Sequence, residues 1–213
     1  MDLKNFQTVH NLAVTDRLVA GDAEVGSYAE VESGGTLVAH GNARCWTDVD
    51  FPIIVRQTGV GIPTLATLVG NITAPQWAVN DFNVCEGQEL IHSWVEGSTC
   101  YWHVHVITAV QDATDRYVKF EIEYAYADLG GVLTGAIIAE SAELLIPANT
   151  PAKSNLIYPI ANFTPDCKIG TQVYARLKRV ASSGTAPSVS PFVPMLQIHI
   201  LCDTLGSRKI GVK

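Results

Sequence analysis

Three histidines near the middle of the chain are the residues best suited to chemistry. His92 lies in Ile-His-Ser-Trp, and His103 and His105 alternate in Tyr-Trp-His-Val-His-Val. On a strand, His103 and His105 point to one face about 6–7 Å apart, and the turn-forming residues 95–99 predict His92 on a neighbouring strand. Three such imidazoles are candidate ligands for Zn²⁺ or Fe²⁺. The preferred interpretation is structural, with imidazoles that hydrogen-bond to loops or to a neighbouring subunit.

The carboxylates offer a weaker indication of catalysis. Glu121 and Glu123 share one face of a predicted strand, as a glycosidase pair would, but such pairs usually need about 5–9 Å between their carboxyl groups across a sugar. A solvated face or pairing with basic residues across the ladder is the favoured interpretation. Asp48 and Asp50 are interpreted as turn or cap acceptors. The sequence contains no nucleophile elbow, P-loop, dinucleotide fingerprint or HExxH motif. We therefore predict no catalytic residues and no cofactor.

Tryptophans are the next candidates, since they can stack on sugars or pack in an interface. Packing in the core or in an interface is the favoured interpretation, and Trp46, Trp94 and Trp102 are the candidate interface or ligand residues.

The elements that would position these residues are strands. Short apolar or alternating runs are separated by Gly, Pro, Asn and Asp. In 117–124, Val118, Phe120 and Ile122 alternate with polar residues, which predicts a strand with one wet face. In 195–202, Met195, Gln197, His199 and Leu201 alternate with Leu196, Ile198, Ile200 and Cys202. The clearest runs are 89–95, 100–110, 116–127, 143–146, 155–160, 168–180 and 195–202. They predict an all-β, jelly-roll-like β-sandwich over residues 46–213.

A six-residue period marks the N-terminal segment. Aliphatic residues recur at Val19, Val25, Val31 and Leu37, and alanine or glycine follows four places after each. This period is typical of a triangular β-prism or β-helix. Four units form little more than one coil, so we predict that residues 1–45 hold a polar arm and a stem shared in a homotrimer. An ordinary strand hairpin remains open as an alternative, since residues 12–20 alternate well.

Composition limits the possible partners. The chain has 213 residues, of which 47% are hydrophobic and only 16% charged, with a net charge of −7. Lys and Arg form no run, which argues against a nucleic-acid partner. No stretch approaches the roughly 20 apolar residues of a membrane span, and no secretory signal is recognised. The five scattered cysteines predict buried, reduced thiols in a protein made in a reducing cytoplasm.

An ordered set of segments resembles a known group of proteins. Trp-Thr-Asp-Val-Asp-Phe-Pro at 46–52, His-Ser-Trp-Val-Glu-Gly at 92–97, His-Val-His at 103–105, Glu-Ile-Glu-Tyr-Ala-Tyr-Ala at 121–127 and Asp-Thr-Leu-Gly-Ser-Arg at 203–208 occur in this order. Together they resemble small virion-associated proteins of tailed bacteriophages, over most of residues 46–209. The resemblance implies a structural protein made in the host cytoplasm and displayed on the virion. Asp203 and Arg208 are then candidates to bracket a terminal turn or to pair across subunits.

The leading hypothesis is a homotrimeric capsid decoration, or cement, protein on the capsid surface. Its partners would be the major capsid protein or other virion proteins. The alternative is a head or tail fibre tip that binds a receptor or host-surface glycan.

Overall fold

The chain folds almost entirely into antiparallel β-structure. The computed structural model describes residues 18–32, 36–55 and 59–205, which contain fifteen strands and a single turn of 3₁₀-helix at Gly41–Ala43. In chain order the strands are β1 (Leu18–Asp22), β2 (Ser27–Val31), β3 (Leu37–Ala39), β4 (Cys45–Pro52), β5 (Thr64–Val69), β6 (Ile72–Gln76), β7 (Phe82–Val84), β8 (Gln88–Glu89), β9 (Cys100–Ile107), β10 (Arg116–Ala127), β11 (Ile137–Glu140), β12 (Leu144–Ile146), β13 (Asn155–Phe163), β14 (Gln172–Val180) and β15 (Phe192–Cys202). The predicted all-β class is confirmed.

Two six-stranded sheets form the body. In the first, here the β10 sheet, the order is β11-β10-β14-β7, with β12 also pairing with β10 and β8 with β14. In the second, here the β15 sheet, the order is β13-β9-β15-β6-β5, and β4 pairs with β15. β4 follows β15 in unbroken antiparallel register from the Cys45–Cys202 pair to the Pro52–Met195 pair. The two sheets share one apolar core, as in a β-sandwich.

Strand periodicity explains which face of each sheet enters that core. On β10, Val118, Phe120, Ile122 and Tyr124 are buried, and the residues between them are partly exposed. This is the alternation that the sequence predicts for the strand. β9 and β15 follow the same rule, with Trp102, Val104, Leu196 and Ile198 fully buried. Removing these side chains from water is the main favourable term in holding the two sheets together.

Some predicted elements differ from the structure. The run 89–95 is not a continuous strand, since β8 stops at Glu89 and Trp94 makes only an isolated bridge to Cys202. β5 and β6 form a hairpin that was not predicted from the sequence, because the aliphatic residues of the hairpin are largely exposed and do not alternate. Its two-residue turn begins at Gly70, whose φ of +54° favours glycine.

The N-terminal segment is a small meander in the order β1-β2-β3. Val31 lies opposite both Leu18 and Leu37, whereas Val19 lies opposite Glu30 and Val25 lies in the β1–β2 turn. Facing residues on paired strands share a side of the sheet, so the four periodic aliphatic positions do not line one axis within the single chain. Within the single chain, the described part therefore adopts the strand-hairpin alternative. Residues 12–17 lie outside the described ranges.

The small sheet joins the body through the chain that follows β15. Val38 forms an antiparallel bridge with Thr204, and the Ala39 amide donates to the Asp203 carbonyl at 2.5 Å. Within the described ranges, no helix has the length and apolar character needed to cross a lipid bilayer.

Candidate functional site

Six polar side chains collect on the face of the β15 sheet that points away from the core. They come from β4, β9 and β15, where they alternate with the buried residues Val49, Trp102 and Ile198. We call this group the imidazole cluster, and its members are Asp48, Asp50, His103, His105, Gln197 and His199. Strand pairing brings them together, because β15 lies between β4 and β9.

The centre of the cluster is formed by Asp48, His103 and His199. The Asp48 Oδ1 atom lies 3.0 Å from His199 Nε2 and 3.8 Å from His103 Nε2. The two imidazole rings stack with their centroids 4.4 Å apart and their planes 26° from parallel. His199 and Asp48 are direct cross-strand partners, and His103 is the diagonal neighbour on the other side of β15. Nitrogen and oxygen atoms of types that can ligate a metal ion therefore converge from three strands.

Gln197 fixes the orientation of two of the imidazoles. Its Nε2 donates to Asp50 Oδ1 at 2.5 Å, so its Oε1 faces His103 Nε2 at 2.9 Å and His105 Nε2 at 2.7 Å. A carbonyl oxygen only accepts, so both of these imidazole nitrogens carry a proton in this arrangement. In neutral His103 the lone pair is then on Nδ1, which is buried and has no hydrogen-bond partner within the described residues.

Burial controls the charge of His103. The residue is 5% exposed, and loss of hydration lowers its pKa from the ordinary value. The hydrogen bond to Gln197 and the nearby Asp48 raise the pKa of His103, whereas His199 and His105 lower it further. Loss of hydration is the largest contribution, so His103 is held in its neutral form.

This neutral state predicts a loss of stability in mild acid. The folded protein binds a proton at His103 less readily than the unfolded chain, whose histidines titrate near 6.5. The His103 contribution therefore lowers the free energy of unfolding as pH falls below about 6.5, by at most about 1.4 kcal/mol per pH unit. Urea unfolding between pH 7.5 and 5, with a chelator present, measures the slope. We expect His103→Gln to reduce this slope.

A second variant should act in the opposite direction. Gln197→Leu removes the hydrogen bond that raises the pKa of His103, so the pH-dependent loss should continue to lower pH than in the parent protein. An unchanged slope in His103→Gln would contradict this account of the cluster.

The structure separates the three histidines that the sequence predicted to lie together. His103 and His105 do lie together, with ring centroids 5.6 Å apart. His92 lies after β8, where its Nε2 is 3.4 Å from Glu89 Oε1, and not on a strand next to β9. Among the described residues, the group of three or more ligand-type side chains with ligand atoms within 4.8 Å of one another is Asp48, His103 and His199. Asp48, Asp50, Gln197 and His199 were not predicted as site residues.

The candidate aromatic residues also divide into two kinds. Trp94 and Trp102 are fully buried, so in this chain they are core residues and not part of a contact surface. Trp46 is 53% exposed and meets Tyr101 edge to face, with centroids 5.5 Å apart, on the same side of the sheet as Asp48. Asp203 connects the body to the small sheet through its backbone. Arg208 lies outside the described residues.

The glutamates on β10 have partners. Arg176 Nη1 lies 3.1 Å from Glu123 Oε2 and 3.9 Å from Glu121 Oε1. This is the cross-ladder pairing that the sequence favoured over a catalytic pair.

Comparison with known proteins adds no assignment to this site: no family model matches the chain, and no curated protein matches it.

Proposed function

We propose that this protein is a structural component of a tailed-bacteriophage virion, a homotrimeric decoration protein on the capsid surface. Its body would be a jelly roll, and its N-terminal sheet would be the stem that three chains share. The observation that carries the proposal is the amount of aliphatic surface that one chain leaves exposed, in a sequence with few charges. The ordered segments that resemble small virion proteins supply the biological setting.

The small sheet offers a surface suited to self-association. Val31 and Leu37 face each other on one side of it, and Ala29 and Ala39 form the next pair on that side. Leu37 remains 42% exposed, and the other three residues are partly exposed. Small and aliphatic side chains allow close approach of a second sheet, and their burial would couple assembly to stability.

The body carries further aliphatic surface. In the β5–β6 hairpin, Leu65, Val69 and Ile72 are each more than half exposed, and Ile138 on β11 is 62% exposed. Exposed aliphatic side chains of this kind are suited to contacts with other proteins. In a trimer each such surface occurs three times, so weak contacts with a capsid would add through avidity. The proposed mechanism is therefore mechanical reinforcement of the shell.

Light scattering on the purified chain tests the stem. We expect a mass about three times the 22.9 kDa of one chain. The double variant Val31→Asp and Leu37→Asp should be monomeric, because charges would be buried in the shared surface. Val60→Asp is a matched control, since Val60 is fully exposed outside the small sheet. A monomeric parent protein, or a double variant that stays trimeric, would contradict the shared stem.

Virion particles test the function itself. Particles of the phage that encodes the chain should contain it in multiples of three per capsid face, as measured by quantitative peptide mass spectrometry. Particles made without it should lose their DNA at a lower temperature. Absence of the protein from purified particles would overturn the proposal.

A receptor-binding fibre tip is the second candidate, and the Trp46–Tyr101 pair favours it. Two exposed aromatic rings beside the Asp48 carboxylate are a common arrangement for stacking on a sugar and hydrogen-bonding its hydroxyl groups. Binding on a glycan array that disappears in Trp46→Ala would support this candidate over the decoration protein.

A further inference from the structure

We propose that Asp48, His103 and His199 bind one divalent first-row transition-metal ion on the outer face of the β15 sheet. Two of these residues, Asp48 and His199, are absent from the histidine trio that the sequence suggested. The proposal does not depend on the virion function, because it concerns side chains within one chain.

The spacing of the ligand atoms fits such an ion. Metal–nitrogen and metal–oxygen bonds of about 2.1 Å place neighbouring ligand atoms about 3.0–3.4 Å apart in octahedral or tetrahedral sites. Asp48 Oδ1 is 3.0 Å from His199 Nε2 and 3.8 Å from His103 Nε2, and the ligand atoms of all three residues lie within 4.8 Å of one another. Bringing the three ligand atoms onto one ion therefore requires side-chain movements of about an ångström, without a change of strand register.

The donor set selects the class of ion. Two imidazoles and one carboxylate suit Zn²⁺, Fe²⁺, Co²⁺ or Ni²⁺, whereas Ca²⁺ and Mg²⁺ prefer oxygen donors. The side chains of Asp48 and His199 are 37% and 44% exposed, so remaining coordination positions are open to water. An ion held in this way resembles the open metal sites that retain water more than the closed four-ligand structural sites.

The charge around the cluster also favours a cation. β4, β9, β13 and β15 contain no lysine or arginine, while β4 supplies both Asp48 and Asp50 to this face. A divalent ion would compensate the negative charge and would use imidazoles in the uncharged form that ligates metals.

Neighbouring side chains would hold the ligands in place. To ligate an ion, His103 Nε2 would give up its hydrogen bond to Gln197, and the ring would take the tautomer with its proton on Nδ1. Gln197 Oε1 would keep the hydrogen bond from His105 at 2.7 Å, and Gln197 Nε2 would keep the one to Asp50. His105 and Gln197 are therefore positioning residues in this proposal, and they do not ligate the ion.

Cobalt is the first probe, because its visible absorption reports the ligand geometry directly. We expect the full-length protein to bind one Co²⁺ per chain at pH 7.5, with d–d bands that Zn²⁺ displaces and Mg²⁺ does not. Calorimetry with Zn²⁺ gives the dissociation constant, and thermal unfolding with and without Zn²⁺ gives an independent readout, since a ligand of the folded state raises the melting temperature.

A matched pair of variants separates ligation from general attraction by negative charge. Asp48→Asn and Asp50→Asn remove the same charge from the same strand and face. We expect Asp48→Asn and His199→Gln to weaken Zn²⁺ binding at least ~100-fold and to abolish the cobalt bands, because loss of a ligand should cost more than loss of an outer partner. Asp50→Asn should cost no more than ~10-fold, and His92→Gln should bind as the parent does.

Each contrary result overturns the proposal. Equal weakening by Asp48→Asn and Asp50→Asn would indicate non-specific attraction of cations. Loss of binding in His92→Gln would indicate that the ion is held by the trio of His92, His103 and His105 that the sequence suggested. A parent protein without cobalt bands and without a zinc-dependent rise in melting temperature would show that the cluster is only a hydrogen-bond network. The side chains of Asp48 and His199 are partly exposed, so we expect their variants to retain the circular dichroism spectrum of the parent.

Discussion

Replacing Trp102 by alanine is expected to lower the free energy of unfolding by about 3–5 kcal/mol, the typical cost of deleting a buried aromatic side chain. Trp102 is fully buried, and its ring lies 4.8 Å from Phe51, 5.7 Å from Tyr124 and 5.9 Å from Phe163. Tyr124 belongs to the β10 sheet and the other rings lie in or beside the β15 sheet. The cavity would therefore open between the two sheets, where neither can collapse to fill it.

Denaturant unfolding followed by far-ultraviolet circular dichroism measures this loss without relying on tryptophan fluorescence. Trp46→Ala is the matched control, because Trp46 is 53% exposed and makes one edge-to-face ring contact. We expect that change to cost less than about 1.5 kcal/mol. Similar losses in the two variants would show that Trp102 is not the centre of the core and would reopen its assignment to a contact surface.

Trp102 also shows what the sequence could and could not predict. Residues 117–124 and 195–202 alternate cleanly, so their strands and faces are predictable from period two alone. A tryptophan between a tyrosine and a histidine on a strand is compatible with either face, because its ring is both apolar and suited to contacts. The face is decided by pairing with β13 and β15, more than 50 residues away in sequence, and no local signal reports that pairing.

Asp48 and Asp50 illustrate a second kind of error. Asp48 and Asp50 are interpreted from the sequence as turn or cap acceptors, although Trp46, Asp48 and Asp50 alternate with Thr47, Val49 and Phe51. This alternation predicts a strand, and it was therefore enough to identify β4 from the sequence. Recognising the strand would have placed both carboxylates on one face. Their meeting with His103 and His199 still required the register between β4, β15 and β9.

The six-residue period near the N-terminus fits more than one arrangement. A period of six is also a multiple of two, so it fits alternating strands whose turns happen to be evenly spaced. Val31 and Leu37 are six residues apart, and they are direct partners because β2 and β3 pair antiparallel. Periodicity alone therefore did not separate successive sides of a prism from successive strands of a meander.

Replacing Arg179 by methionine is the second change with a large expected effect, about 2–4 kcal/mol of lost stability. Arg179 is 2% exposed on the core side of β14, where its Nη1 donates to the Trp77 carbonyl at 2.5 Å. Burial lowers its pKa and the nearby Asp81 charge opposes that shift. Methionine fills much of the volume, but it leaves the Trp77 carbonyl without this donor and the buried Asp81 without the nearby positive charge.

Arg176, three residues earlier on the same strand, provides the control for this prediction. It faces solvent on the other side of β14, pairs with Glu123 at 3.1 Å and lies over the Phe82 ring at 4.4 Å. Exposed ion pairs contribute about 0–1 kcal/mol, so Arg176→Met should cost about 1 kcal/mol or less in the same unfolding experiment. Equal losses at the two positions would mean that Arg179 does not reach Trp77 from inside the sandwich. In that case, β14 and the chain entering β7 would be held together at this point only by the backbone hydrogen bonds of Arg179 with Asn80 and Asp81.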